Sequence, residues 1–181
     1  MNKLADLLKA ASFSAKKHTG QKRKGANGEP YINHPIEVAE RLAVIGKIED
    51  YNILIAAILH DTLEDTETTE EEITDLFGSE VCGIVKEVTD DKTLPKEERK
   101  RLQIEHAPHL SPSAKQIKLA DKISNIEDII ENPPENWSVE RRLRYVEWGE
   151  LVIEGVRGTN RELESLFDKI AAKAKTELAN K

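Results

Sequence analysis

The chain has one cysteine, Cys82, in 181 residues. A lone thiol excludes an intrachain disulfide and suits a reducing compartment. Long apolar runs are missing as well. The longest, ILIAAIL at 53–59, falls far short of the roughly 20 residues of a membrane-spanning helix. The opening residues, MNKLADLLKAASF, contain no apolar core of a signal peptide. Together these absences predict a cytoplasmic, soluble protein without a membrane partner. An excess of positive charge is also lacking. Lysine and arginine number 27 against 34 acids, and the net charge of −7 argues against a nucleic-acid partner. It does not exclude a local basic pocket for a small anion.

Strand patterns are absent too. The one Asn-Gly pair, Asn27-Gly28, sits in KGANGEPYINHP with no strand before it. No repeat, low-complexity linker or break in composition divides the chain, which predicts one domain over 1–181. What is present is helical periodicity and charge. Charged residues make up 34%, above the usual quarter, as solvated helix faces require. LADLLKAASFSAKKH and IEVAERLAVIG carry apolar residues at helical spacing. Thr69 with Glu72 forms a capping-box pattern that Gly78 closes, and Ser79 is placed to cap the helix after it. Ser111-Pro112 and Ser138 open two further helices, and Thr159 with Glu162 suggests another capping box. The expectation is an all-α bundle of about eight helices.

One stretch conflicts with simple burial. The run at 53–59 leads straight into His60, Asp61, Glu64 and Asp65, and no Lys or Arg lies between Asp50 and Lys86. Burying such charge costs several kcal/mol per group unless a cation compensates it. A metal ion is the obvious cation. Residues four apart share a helix face, so His60 stacks with Glu64 and Asp61 with Asp65. His34, fixed by Pro35, and Asp121, inside the otherwise apolar IKLADKISNI, complete a donor set of two imidazoles and two carboxylates. Such a set suits Mn²⁺, Fe²⁺ or Zn²⁺ with positions left open for water and substrate, and ligand type does not choose among them. Glu67, Glu70, Glu71 and Glu72 read instead as a solvated helix N-terminus.

The order His34, His60-Asp61, Asp121 resembles the HD metal-dependent phosphohydrolases. GQKRKGANGEPYINHPIEVA, AAILHDTLEDT, FGSEVCGIVKEVTDDKTLP and KLADKISNI narrow the resemblance to the hydrolase domain of RelA/SpoT proteins, and to its stand-alone small alarmone hydrolases of the metazoan SpoT homologue type. It runs over roughly residues 14–168 and includes no synthetase domain. The resemblance implies hydrolysis of (p)ppGpp to GDP or GTP and pyrophosphate with one Mn²⁺. It implies His34, His60, Asp61 and Asp121 as metal ligands and Glu64 and Asp65 as the catalytic acids. Arg23, Lys24, Asn125, Arg141 and Tyr145 fall on its substrate-binding positions. Basic residues cluster near these, Lys16, Lys17, Lys22, Arg23 and Lys24 before His34 and Lys92, Lys96, Arg99, Lys100 and Arg101 after the acids.

Two positions depart from the family pattern. Ser124 replaces an aromatic or histidine before the asparagine, and Glu127 replaces a basic residue, removing a positive charge near the expected pocket. His106 and His109 offer further ligands, but they sit in the polar connector APHLSPS. Cys82, on the apolar face of VCGIV, reads as a core thiol. Two other functions stay open. One is hydrolysis of another nucleotide phosphate, NADPH 2′-phosphate above all. The other is a non-catalytic alarmone-binding module, which an intact set of ligands and acids disfavours. Oligomeric state is not legible.

Overall fold

The computed structural model describes residues 3–180. Among these the chain forms ten α-helical segments and one short 3₁₀ turn, the expected all-α bundle. They are α1 (Lys3–Lys17), α2 (Asn33–Val44), α3 (Tyr51–Leu59), α4 (Thr62–Asp65), α5 (Glu70–Phe77), α6 (Ser79–Val88), α7 (Lys96–His106), α8 (Pro112–Glu131), α9 (Val139–Glu154) and α10 (Arg161–Ala179). No described helix is long and apolar enough to cross a membrane.

The apolar run forms α3, every residue of which from Ile53 to Leu59 is buried. A helix apolar all round must be enclosed, and α1, α2, α6 and α8 pack against it. The 20-residue α8 is the second axis, with α2, α6, α9 and α10 along it. His34 at the start of α2, the end of α3 and the middle of α8 therefore converge at one depth.

Local signals decide where the helices begin. Thr69 and Glu72 form both halves of the capping box, and Gly78 ends α5 at φ +93°. Ser111 and Ser138 accept from Ala114 N and Arg141 N as N-caps. Two caps differ from expectation. Ser79 is the first helical residue of α6, after Gly78, and makes no cap hydrogen bond. At α10 the cap is Asn160, whose side chain accepts from Leu163 N. Glu164 Oε1, and not Glu162, reaches back to the amides of Thr159 and Asn160. Asn160 wins because its amide also donates to Gly46 O at 2.9 Å, tying α10 to the end of α2.

Candidate active site

The helix carrying the acids is not continuous. It stops at Leu59, His60 and Asp61 form a turn that keeps right-handed backbone angles, and α4 resumes at Thr62. His60 and Asp61 thus leave the ladder side by side. His60 Nδ1 lies 2.7 Å from Ala57 O, which can only accept, so that nitrogen carries a proton and Nε2 is the atom turned to the site. This Nε2 is buried and makes no hydrogen bond. His34 is fixed the same way. Ser124 Oγ donates to Glu37 Oε2 at 3.2 Å and so accepts from His34 Nδ1 at 3.1 Å, again leaving Nε2 as the donor atom.

The two Nε2 atoms face two carboxylate oxygens. Asp121 Oδ1 lies 3.1 Å from His34 Nε2 and 3.7 Å from His60 Nε2. Asp61 Oδ2 lies 3.1 Å from His60 Nε2 and 3.7 Å from His34 Nε2. Donors about 2.1 Å from a common ion are about 3.0–3.4 Å apart in ordinary coordination geometry. Four such atoms at these separations need positive charge among them, which a proton on His60 Nε2 or a cation supplies. His34, His60 and Asp121, all buried, have donor atoms within 4.8 Å of one another and could hold a metal ion.

Protonation follows the same logic. Burial opposes charge on His60, but Asp61 and Asp121 outweigh it and push its pKa up to about 10. Burial holds His34 below the usual imidazole range, and it stays neutral. Burial works against ionising Asp121, yet Lys122 and the histidines hold its carboxyl well below the ordinary range. His60 does the same for Asp61 against its own burial. The protein thus presents two carboxylates, a neutral His34 and a His60 whose Nε2 holds a proton in place of a cation, a set that fits a divalent metal.

Glu64 and Asp65 sit one turn on. Glu64 Oε2 accepts from the Asp90 amide at 3.1 Å, and Arg99 Nη1 lies 3.7 Å from Oε1. Burial raises the Glu64 pKa despite the Asp90 amide. Asp65 pairs with Lys92 and accepts from Gln21 Nε2 through its carbonyl at 2.8 Å. The cationic partners the local sequence lacked therefore arrive from later in the chain.

The segment between α1 and α2 folds back on itself through one antiparallel bridge, Lys22 to Pro30, with Gly28 at φ +59° in its turn. The Asn-Gly turn is real, but only a single bridge flanks it. This hairpin brings Arg23 and Lys24 to the mouth of a cleft of about 600 Å³ that also meets Asn125 and Tyr145. Lys24, Asn125 and Tyr145 also line the pocket that holds His34, His60, Asp61 and Asp121, so the two spaces adjoin. Arg23 is braced, its Nε donating to Asp128 Oδ2 at 2.8 Å and Nη2 to Asn125 Oδ1 at 3.0 Å. Asn125 Nδ2 in turn donates to Asp121 Oδ1 at 2.6 Å. Arg141 lies apart from the others, stacked 4.3 Å over Trp137 in an adjoining groove that Lys24 shares.

Sequence reasoning missed several neighbours. Tyr31 OH donates to Asp61 Oδ2 at 2.6 Å and lies 3.3 Å from Asp65 Oδ2, bridging the two carboxylates. Its place in YINHP, three before His34, was the available signal. Lys118 and Lys122, flanking Asp121 in the apolar stretch, are both buried. Glu127 turns away from the cleft and pairs with Arg41. Of the later basic group, Arg101 pairs with Glu98 and Glu105 of its own helix, whereas Lys96 and Lys100 lie over Trp137 and Trp148.

Comparison with known proteins agrees with this geometry. Residues 10–146 match the family described as HD domain. Guanosine-3′,5′-bis(diphosphate) 3′-pyrophosphohydrolase MESH1 of Homo sapiens is 56% identical over 160 residues, covering 88% of this chain and 89% of that protein. Its namesake from Drosophila melanogaster is 48% identical, covering 92% and 93%. A solved structure described as a metazoan orthologue of SpoT that hydrolyses ppGpp superposes with a TM-score of 0.91 at 47% identity, covering 93% of this chain and 95% of its own.

Proposed function

The chain belongs to the HD-domain family, in the branch of the metazoan 3′-pyrophosphohydrolases, and from that premise we propose that it hydrolyses guanosine 3′,5′-bis(diphosphate) at its 3′-pyrophosphate. The observation that carries the reading is the donor set, in which His34, His60, Asp61 and Asp121 converge beside Glu64 and Asp65. The four donors would hold one divalent ion, which we take as Mn²⁺. When bound, it supplies polarisation of a phosphoryl oxygen and of a water.

The chain's own groups carry the remaining work. Glu64 and Asp65 orient the attacking water and take its proton. The water oxygen bonds to the inner phosphorus of the 3′-pyrophosphate as the bond from that phosphorus to the ribose 3′ oxygen breaks. The 3′ oxygen takes up a proton, and GDP and pyrophosphate leave. Arg23, Lys24, Asn125 and Tyr145 hold the nucleotide in the cleft, and Arg141 with Lys24 meets phosphate at its rim. Positioning and electrostatics supply most of such a reaction. We treat 1–181 as one hydrolase unit and place it in the cytoplasm, where the buried, unpaired Cys82 stays reduced.

The test is product release by the Mn²⁺-loaded protein from ppGpp and, separately, from NADPH. GDP and pyrophosphate are expected from ppGpp, with at least about a hundred-fold loss in the Glu64→Gln, Asp65→Asn double variant. Orthophosphate from NADPH with ppGpp untouched would overturn the substrate. Inactivity on both, with nucleotide still bound, would replace the enzyme with a binding module.

A further inference from the structure

Two neighbours make opposite demands on the one ring proton of neutral His34. Asp121 Oδ1, 3.1 Å from Nε2, would accept that proton in a hydrogen bond. Nε2 can hold an ion only without it, with the proton on Nδ1 instead. The group at Nδ1 is Ser124 Oγ at 3.1 Å, in a side chain only 1% exposed. A hydroxyl has one proton to give, so the direction in which Ser124 gives it decides the tautomer. Donation to Nδ1 would move the imidazole proton to Nε2. Glu37 Oε2 lies 3.2 Å from the same hydroxyl and, as a carboxylate, can only accept. Glu37 stands on α2 one turn after His34, and α2 packs along α8, which carries Ser124. One turn further on both helices Arg41 pairs with Glu127. Glu37, Arg41, Ser124 and Glu127 all border one cavity of about 280 Å³, which none of the four metal donors lines.

Resting on the metal-site reading above, we propose that Glu37 is a positioning residue for the metal centre, acting through Ser124. Its carboxylate takes the Ser124 proton in a hydrogen bond, Ser124 Oγ therefore accepts from His34 Nδ1, and Nε2 is left to the ion. A charged acceptor holds a hydroxyl more strongly than a neutral imidazole nitrogen does. The three groups therefore settle in this direction against the pull of Asp121 on the same proton. Glu37 does this from outside the donor pocket, whose lining does not include it.

Calorimetric titration of metal-stripped protein with Mn²⁺, in the absence of substrate, tests this apart from turnover. Ser124→Ala and Glu37→Met should each weaken Mn²⁺ binding about ten-fold or more. The double variant should bind no more weakly than Ser124→Ala alone, because Glu37 acts only through that hydroxyl. Glu127→Gln, which loosens the neighbouring contact between the same two helices, should leave Mn²⁺ affinity unchanged. Additive losses in the double variant, an equal loss in Glu127→Gln, or no loss in Glu37→Met would overturn the proposal. Should a variant fail to fold, two-bond ¹H–¹⁵N spectra of the metal-free wild type decide, since the His34 proton must lie on Nδ1 and a proton on Nε2 overturns the assignment. If Mn²⁺ binding follows the expected pattern while wild-type protein leaves ppGpp intact, the hydrolase reading fails and Glu37 keeps its role. Hydrolysis of ppGpp with Mn²⁺ affinity indifferent to Glu37 would mean the reverse.

Discussion

At the scale of single residues, the stretch LHDTLED showed most of the chemistry in advance, because acids cannot follow a buried apolar run without compensation. The compensating groups themselves were not legible. Lys92 and Arg99 reach Asp65 and Glu64 from 27 and 35 residues away, and only the packing of α7 and the loop before it brings them there. Tyr31 was hidden for a different reason, since its ring reads as packing until its hydroxyl is seen between two carboxylates. Replacing Tyr31 with Phe keeps the ring against His18, centroids 4.9 Å apart, but frees Asp61. Losing a hydrogen bond to a charged group is worth about 1.5–3 kcal/mol. Steady-state kinetics should therefore show kcat/KM lower by about ten-fold or more with the protein still folded; an unchanged kcat/KM would remove Tyr31 from the machinery. Glu64 sets a pH dependence. Burial raises its pKa, and only the ionised form accepts a proton, so activity should fall as pH drops through a value above the usual glutamate range of about 4.3. An acid limb in the wild-type pH–rate profile at or below that range would refute the assignment of Glu64 as base.

At the scale of elements, helix periods and caps were readable because they are local, and Thr69, Ser111 and Ser138 behave as their sequences suggest. The exceptions are cases where tertiary structure outvotes local pattern. Asn160 takes the cap that Thr159 was expected to make because its side chain also anchors Gly46. The break at His60-Asp61 likewise has no breaker residue to announce it. The hairpin between α1 and α2 shows the same principle at a functional place. Gly25, beside Arg23 and Lys24, lies so close to Asn132 that a Cβ would run into that residue's side chain and carbonyl. Only glycine allows the hairpin to dock on the end of α8. Gly25→Ala should push the hairpin outward and misplace both cations. The expected result is a KM for ppGpp higher by about ten-fold with Mn²⁺ binding unchanged, because no metal donor lies on the hairpin. Equal loss of metal and nucleotide affinity would mean that the hairpin supports the whole centre.

At the scale of the molecule, the four donors come from α2, the turn after α3, and α8, so an ion there ties together helices distant in sequence. Whatever binds only the folded state stabilises it, by about 2.7 kcal/mol at a hundred times Kd. For a domain of this size that corresponds to a Tm rise of about 5–10 °C. The stabilisation should also depend on pH. In metal-free protein the folded-state pKa of His60 is raised to about 10. A proton on that ring therefore stabilises the fold fully below the unfolded value of about 6.5, and the contribution is lost as pH rises towards 10. His60 Nδ1 already donates to Ala57 O, so that proton occupies Nε2, the position the ion would take. Proton and metal therefore compete, and the metal gains as the proton leaves. Melting curves of EDTA-stripped and Mn²⁺-loaded protein should draw apart between pH 6.5 and pH 9, with the stripped protein losing Tm on the alkaline side and the loaded protein holding it. A gap that stays constant or narrows over that interval would mean that the ion does not displace the His60 proton, and His60 would leave the ligand set.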